Sequence, residues 1–125
     1  MNKRLVSIAA ISAALAVIFG AFGAHALKSL IGPAALGNWE IAVQYHFIHT
    51  LALLALGLMP ANKFINRAAW CFGLGIVLFS GSLYLLSLRE ILQLPVAILG
   101  PVTPFGGLLL IIGWCFLAIS GFKKN

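Results

Sequence analysis

Charged side chains are scarce in this 125-residue chain. Glu40 and Glu90 are its only acidic residues, and charged residues make up 8% of the sequence, against about 25% in a soluble domain. Hydrophobic residues make up 62%, and the mean hydropathy is +1.10. A chain this short cannot bury so much apolar surface in water, which excludes a soluble domain. The composition predicts an integral membrane protein.

Cysteine and recognisable catalytic motifs are also sparse. Cys71 and Cys115 lie inside apolar stretches without Cys-x-x-Cys spacing, so we interpret them as small packing residues. The sequence contains no phosphate-binding loop, nucleophile elbow or His-Glu-x-x-His motif, so hydrolase or kinase chemistry has no support. The pattern favours a protein that is not an enzyme and holds no cofactor.

Long apolar stretches account for most of the chain. They predict an all-α integral membrane four-helix bundle in a single transmembrane domain, 1–125, with spans at about 5–26, 39–59, 68–88 and 104–122. The first span is longer than a signal-peptide core, so we expect it to be an uncleaved helix. Residues 89–103, broken by Pro95, Gly100 and Pro101, are expected to lie at the membrane interface, with a re-entrant loop as the alternative.

Small residues recur where helices could approach each other closely. On the first span they repeat every fourth position, at Ser12, Ala16, Gly20 and Ala24. A stripe of this kind allows a second helix to approach. Glycines of the other spans suggest the same kind of contact, in particular Gly73, Gly75, Gly81, Gly106 and Gly107.

The distribution of basic residues predicts the orientation. The net charge of +6 is spread between apolar segments, which fits topology signals and does not fit a nucleic-acid-binding surface. One side of the four-span arrangement carries only Lys28 and Arg89, and the other carries Lys3, Arg4, Lys63, Arg67, Lys123 and Lys124. The positive-inside rule therefore places both termini in the cytoplasm of a multi-pass protein of the cell membrane.

Polar residues gather in the half of the bilayer opposite the basic side. The second span carries several ionisable or polar groups in its first half, and such groups are costly in hydrocarbon. The inner halves of the spans hold few polar residues, among them Ser12 and Thr50. We therefore predict one outward-facing polar pocket above an apolar plug, with ligand-binding residues His25, Gln44, Tyr45, His46, His49, Ser80, Ser82 and Tyr84.

The histidines allow three interpretations. His46 and His49 are three residues apart on one helix and, with His25, could bind a transition metal. A histidine paired with Glu40 could carry a proton. The interpretation that the sequence favours is a hydrogen-bond network of His, Gln, Tyr and Ser that joins the helices.

Several stretches together resemble one family. They are Gly20–Leu27, Tyr45–Leu51, Leu78–Tyr84, and Thr103–Gly107 with Gly113 and Trp114. In order and spacing they resemble the domain of unknown function 423 family, which is related to transmembrane protein 256. The resemblance implies a small four-helix membrane protein with no assigned activity. Family members tend to have Gln where this chain has His46, which disfavours His46 as an obligatory metal ligand.

Three functional hypotheses follow. The leading one is a binding or transport-associated protein that holds a small polar molecule, a lipid headgroup or a proton in the predicted pocket. The second is a structural protein that packs with itself, as a homo-oligomer, or with a larger membrane complex through its small-residue faces. The third is an intramembrane metalloprotein. The expected partner in every case is the lipid bilayer.

Overall fold

The computed structural model describes residues 1–122, and within that range it contains helices and no strands. The helices are α1 (Lys3–His25), α2 (Pro33–Leu58), α3 (Lys63–Gly75), α4 (Gly81–Ser87), α5 (Arg89–Leu92) and α6 (Val96–Phe122). A 3₁₀ turn, Leu27–Ser29, follows α1. A π-helical segment, Ile76–Ser80, joins α3 to α4 without a break, so we call Lys63–Ser87 the third span.

Four helical segments of residues 1–122 are long and apolar enough to cross a bilayer. They are Lys3–Ser29, Pro33–Leu58, Lys63–Ser87 and Val96–Phe122. Each has at least 25 residues, or about 37 Å at 1.5 Å per residue, against a hydrocarbon core of about 30 Å. The predicted fold class, an all-α membrane four-helix bundle, is confirmed.

The fourth helix begins earlier than the sequence predicts. Residues 96–103 were expected to form an interfacial or re-entrant connector, and the structure makes them the first two turns of α6. Pro101 and Pro104 lie inside this helix and leave the carbonyls of Ala97 and Gly100 without their usual amide donors. Membrane helices tolerate such positions when neighbouring groups compensate. The second span also begins earlier than predicted, at residue 33 instead of 39. Pro33 occupies its first turn, a position that suits proline.

The helices pack in chain order. α1 packs mainly on α2, α2 packs on the third span, and α6 packs mainly on the third span. The best-buried cluster lies where α2, the third span and α6 meet: Leu53, Leu56, Ile65, Ala68, Phe72, Ile76 and Leu110, with Ala9 from α1. α1 and α6 are therefore the outer helices of the bundle.

Small residues allow the closest helix contacts. On α1 the buried positions are Ala9, Ala16 and Gly23, and a β-carbon at Gly23 would meet the Trp39 indole of α2. On α6, Gly106 lies against the backbone of the π-helical segment. The expectation of helix contact is wrong for Gly73 and Gly81, whose missing β-carbons would meet open space.

Two hydrogen bonds connect the helix ends on the basic side. The Asn2 amide donates to the Gly57 carbonyl (2.7 Å), and the Asn62 side-chain amide donates to Ser120 Oγ (3.1 Å). The first residues of α1 and α3 therefore lie at the same end of the bundle, which we call the basic end; it carries Lys3, Arg4, Lys63 and Arg67. Lys123 and Lys124, which the orientation prediction also uses, lie outside the described residues. We call the opposite end the His25 end.

Candidate functional site

His46 is the centre of a hydrogen-bonded chain that links three helices. Its Nδ1 lies 2.9 Å from the Tyr84 hydroxyl of α4, and its Nε2 lies 3.0 Å from Ser12 Oγ of α1. Ser12 Oγ in turn lies 2.7 Å from Thr50 Oγ1, one turn below His46 on α2. Thr50 is fully buried and His46 is 6% exposed. We call these four residues the His46 chain.

His49, on an adjacent face of α2, has different neighbours from His46. Its Nδ1 lies 2.7 Å from the Tyr45 carbonyl, and its Nε2 accepts a hydrogen bond from the Trp114 indole of α6 at 3.0 Å. The Phe72 ring packs against His49 from the third span. Although His46 and His49 are only three positions apart, their side chains leave the helix axis in directions about 60° apart, and they therefore contact different neighbours.

The predicted serines join helices through short hydrogen bonds. Ser80, in the π-helical segment, donates to the Ala42 carbonyl of α2 at 2.8 Å. Ser82 donates to the Phe79 carbonyl at 2.9 Å and lies 2.6 Å from Thr103 Oγ1 of α6. Ser80 and Ser82 are buried, so they connect the third span to the helices on either side.

The structure does not bring all of the predicted ligand-binding residues together around one pocket. His25 and Gln44 are exposed, and Tyr45 is 40% exposed on the side of His49. The other predicted residues divide between the His46 chain, the serine links, and His49 with its neighbours Tyr45 and Trp114, which we call the His49 cluster. The predicted residues share a depth, which can be read from position along each helix. They do not all share a neighbour, because the direction in which each residue faces depends on which helices pack together.

Sequence reasoning missed four polar partners. Ser12 and Thr50 belong by sequence to the apolar inner half, and Thr103 and Trp114 to the fourth span, yet all four bond predicted residues. Thr50 offered one signal, because it is four residues from His46 and shares its helix face. Ser12 was identifiable only as part of the small-residue stripe.

A groove lies between α1 and α6 and is lined by the half of the third span nearer the His25 end. Its walls include Ile18 and Phe22 of α1 and Leu99 and Val102 of α6, and its volume is about 820 Å³. We call it the α1–α6 groove. Trp39, Phe19 and Tyr84 form an aromatic group at its base, with Tyr84 centred 4.6 Å from Trp39 and 5.0 Å from Phe19.

Polar groups in the α1–α6 groove are few and already bonded. The Trp39 indole donates to the Phe19 carbonyl at 2.8 Å, Tyr84 bonds His46, and Ser82 bonds Phe79. Gly81 also lines the groove, and a β-carbon there would meet no atom within 4 Å. The α1–α6 groove is therefore mainly apolar, and it has free space beside Gly81.

A second groove of about 670 Å³ lies between α2 and α6. It is lined by the His49 cluster, with Tyr45 and Trp114, and by Phe79 and Pro104. The Tyr45 ring stacks on His49 and packs against Phe79, with centroids 5.8 Å and 4.6 Å apart. His49 therefore lines this α2–α6 groove and does not line the α1–α6 groove.

The predicted metal ligands do not converge. Among residues 1–122, no group of three or more His, Cys, Asp and Glu side chains could hold a metal ion. Both ring nitrogens of His46 and of His49 have hydrogen-bond partners within the chain. Within the same residues, every buried side-chain nitrogen and oxygen has a partner. These histidines connect helices in the structure.

Comparison with known proteins gives one consistent result. Residues 19–107 match the family model described as "Protein of unknown function (DUF423)". The UPF0382 membrane protein SSP2132 of Staphylococcus saprophyticus is 42% identical over 123 residues, which cover 97% of this chain and 98% of that protein. The UPF0382 membrane protein YwdK of Bacillus subtilis is 41% identical over 126 residues, covering 97% and 98%. No solved structure matches the chain.

Proposed function

This chain belongs to the DUF423 family and is a multi-pass membrane protein, and from that premise we propose that it binds a membrane lipid. One acyl chain of the lipid would lie in the α1–α6 groove. The observation that carries this proposal is an apolar groove whose length matches one leaflet of a bilayer.

The length of the α1–α6 groove follows from the residues of the third span that line it. The groove extends along the third span from Val77, near the middle of that span, to Leu88, the residue after its last one. Eleven residues of helix rise about 16 Å, and half of a bilayer's hydrocarbon core is about 15 Å. The groove therefore matches the depth over which one acyl chain of that leaflet extends.

The lining of the groove favours an acyl chain. Its walls are aliphatic and aromatic side chains, among them Ile18, Phe22 and Leu99. The polar side chains Tyr84 and Ser82, which also line it, are bonded within the chain. A flexible hydrocarbon chain can follow such walls without any change in the helices that form them.

The internal bonding disfavours a small polar ligand, which the sequence suggested. Every buried polar side chain of residues 1–122 is already hydrogen-bonded, so a polar molecule would have to replace an existing partner. Breaking a buried hydrogen bond without replacing it costs about 1–3 kcal/mol. An acyl chain needs only apolar walls, and the groove supplies them.

Filling the groove at Gly81 tests the proposal. In Gly81→Leu the new side chain would occupy groove space, since no atom lies within 4 Å of the added β-carbon. We expect the purified variant to retain at least about 10-fold less phospholipid than wild type, measured by native mass spectrometry after delipidation and titration. The helix itself should gain stability, because leucine is a better helix former than glycine.

Gly73→Leu is the matched control. Gly73 lies two turns earlier in the same span, also faces open space, and does not line the groove. We expect this variant to retain lipid as wild type does. Equal lipid retention by Gly81→Leu and wild type would contradict the proposal.

Self-assembly is a second candidate function. In their most apolar stretches, α1 and α6 are only 11% and 17% buried, whereas α2 and the third span are each 39% buried. The outer helices therefore leave most of their surface for lipid or for another copy of the chain. The same native mass spectra report oligomer mass, and a monomer in every lipid condition would contradict this candidate.

A further inference from the structure

We propose that two copies of this chain associate through α2, with their Gln44 side chains hydrogen-bonded to each other at the centre of the contact. The partner is a second copy in the same membrane. This contact does not use the α1–α6 groove, so it is independent of lipid binding, and it gives the self-assembly candidate a defined surface.

The exposed side of α2 carries a heptad pattern. Its residues recur with alternating spacings of three and four, as the a and d positions of a coiled coil do. They are Ile41, Gln44, Ile48, Leu51, Ala55 and Leu58, and all are exposed. We call these residues the α2 seam. At about 100° per residue, the α2 seam points almost opposite to the buried residues His46 and Leu53, and so away from the core of the bundle.

Gln44 lies near the middle of the bilayer when the midpoints of the spans are taken as the midplane. α2 has 26 residues, and Gln44 is about 2 Å along the axis from its midpoint. The neighbouring His46 bonds Ser12, which is about 3 Å from the midpoint of α1. Half of the hydrocarbon core is about 15 Å thick, whereas the four bonds of a glutamine side chain reach about 6 Å at most. The Gln44 amide therefore cannot reach the headgroups.

The Gln44 amide needs a partner from outside the chain. It is exposed and has no hydrogen-bond partner among residues 1–122. A polar group without a partner is costly in hydrocarbon, and amide side chains of membrane helices bond neighbouring helices. The partial charges of an amide complement those of a second amide, because each has both a donor and an acceptor. Copies in one membrane share an orientation, so a two-fold axis along the membrane normal brings Gln44 to Gln44.

The apolar residues of the α2 seam favour a pair of helices. Ile41 and Ile48 occupy a positions, and they are 43% and 46% exposed. Leu51 and Leu58 occupy d positions, and they are 48% and 57% exposed. Isoleucine at a with leucine at d favours two parallel strands, and a single polar residue among such positions fixes their register. Gln44 is that polar residue in the α2 seam.

Replacing the amide tests the contact. The full chain is placed in phosphatidylcholine liposomes, and association is measured by energy transfer between fluorescently labelled copies as the protein-to-lipid ratio varies. We expect Gln44→Leu to raise the dissociation constant of the dimer about 3- to 30-fold, the range for interhelical hydrogen bonds in membranes. The fold should be kept, because the site is exposed and leucine is a good helix former.

Tyr45→Phe is the matched control. It removes an exposed hydroxyl from the next position of α2, which lies outside the α2 seam. We expect this variant to associate as wild type does. A loss equal to that of Gln44→Leu would contradict a specific role for the Gln44 amide.

Cysteine cross-linking locates the contact without removing the amide. Single cysteines are placed in a background without Cys71 and Cys115. Leu51→Cys lies on the α2 seam, whereas Ile11→Cys and Ile111→Cys lie on exposed faces of α1 and α6. A disulfide needs α-carbons within about 7 Å, so copper phenanthroline in the same liposomes should join pairs of Leu51→Cys chains far faster than pairs of the other two variants.

The outcomes separate the α2 contact from lipid binding. Equal association of Gln44→Leu and wild type would overturn the inference, and so would a monomer at every protein-to-lipid ratio. Cross-linking of Ile11→Cys or Ile111→Cys as fast as that of Leu51→Cys would overturn it too. None of these results would change lipid retention in the α1–α6 groove. Lipid retention that Gly81→Leu does not reduce would overturn lipid binding and leave the contact at Gln44 intact.

Discussion

At the scale of single residues, His49 has one protonation state that satisfies both of its partners. The Tyr45 carbonyl only accepts hydrogen bonds and the Trp114 indole only donates, so Nδ1 must carry the hydrogen and Nε2 must be bare. A hydrogen on Nε2 would point at the indole N–H of Trp114, and two donors would then face each other. His49 is thus a neutral connector between α2 and α6. His46 differs because both of its partners are hydroxyls.

Removing the Trp114 donor tests the role of His49. In Trp114→Phe the aromatic packing is largely kept and the Nε2 of buried His49 loses its partner. We expect a loss of about 0.6–2 kcal/mol in the free energy of unfolding, the range for interhelical hydrogen bonds in membranes, measured by denaturation in mixed micelles.

Trp70→Phe is the control for Trp114→Phe. Trp70 is 73% exposed on α3 and has no hydrogen-bond partner among the described residues. We expect it to change the unfolding free energy by less than about 0.5 kcal/mol, as exposed substitutions usually do. Equal losses in the two variants would show that the indole hydrogen bond contributes nothing.

At the scale of helices, α6 shows where sequence patterns succeed and where they fail. Hydropathy located its apolar body, residues 104–122, because apolar length is a local property. The same sequence placed residues 96–103 outside the helix, because Pro95, Gly100 and Pro101 resemble breakers. Tertiary contacts stabilise residues 96–103 as helix. The third span packs along α6, and the Ser82 and Thr103 hydroxyls lie 2.6 Å apart. No local pattern contains that information.

The contact between α6 and the π-helical segment predicts a sharp cost at Gly106. A β-carbon there would overlap the backbone of Leu78 and Phe79, which cannot move as a flexible side chain does. We expect Gly106→Ala to lower the unfolding free energy by about 1–3 kcal/mol, the range for overpacking. Thermal unfolding in detergent, followed by circular dichroism, measures the change.

The control for Gly106→Ala is Gly121→Ala in the same helix. A β-carbon at Gly121 would meet nothing within 4 Å, so this variant should be neutral or slightly stabilising, by up to about 1 kcal/mol. If Gly106→Ala were as stable as Gly121→Ala, α6 would not approach the third span as closely as the structure shows.

At the scale of the whole molecule, the sequence predicted the class, the number of spans and the residues that carry polarity. Those follow from composition and from position along each helix. It could not predict that α1 and α6 remain apart as outer helices and leave a groove, because no local signal specifies which helices pair. The position of Tyr84 near the end of the third span could be read from the sequence, but its partners on α1 and α2 depend on that pairing.

The sidedness of the molecule is the remaining prediction. The structure gathers four basic residues at the basic end, and the positive-inside rule puts that end in the cytoplasm, with the α1–α6 groove in the outer leaflet. To test it, Lys28→Cys and Lys63→Cys are made separately in a background without Cys71 and Cys115. A membrane-impermeant maleimide on intact cells should label Lys28→Cys, at the His25 end, and leave Lys63→Cys unlabelled.

After permeabilisation both variants should react, since Lys28 and Lys63 are exposed side chains at helix ends. That step separates protection by the membrane from protection by the fold. Labelling of Lys63→Cys alone in intact cells would invert the orientation and move the groove to the cytoplasmic leaflet. Lipid binding at Gly81 would survive that result, because the length and the apolar lining of the groove do not depend on which leaflet surrounds it. The source of the lipid would then be the inner leaflet.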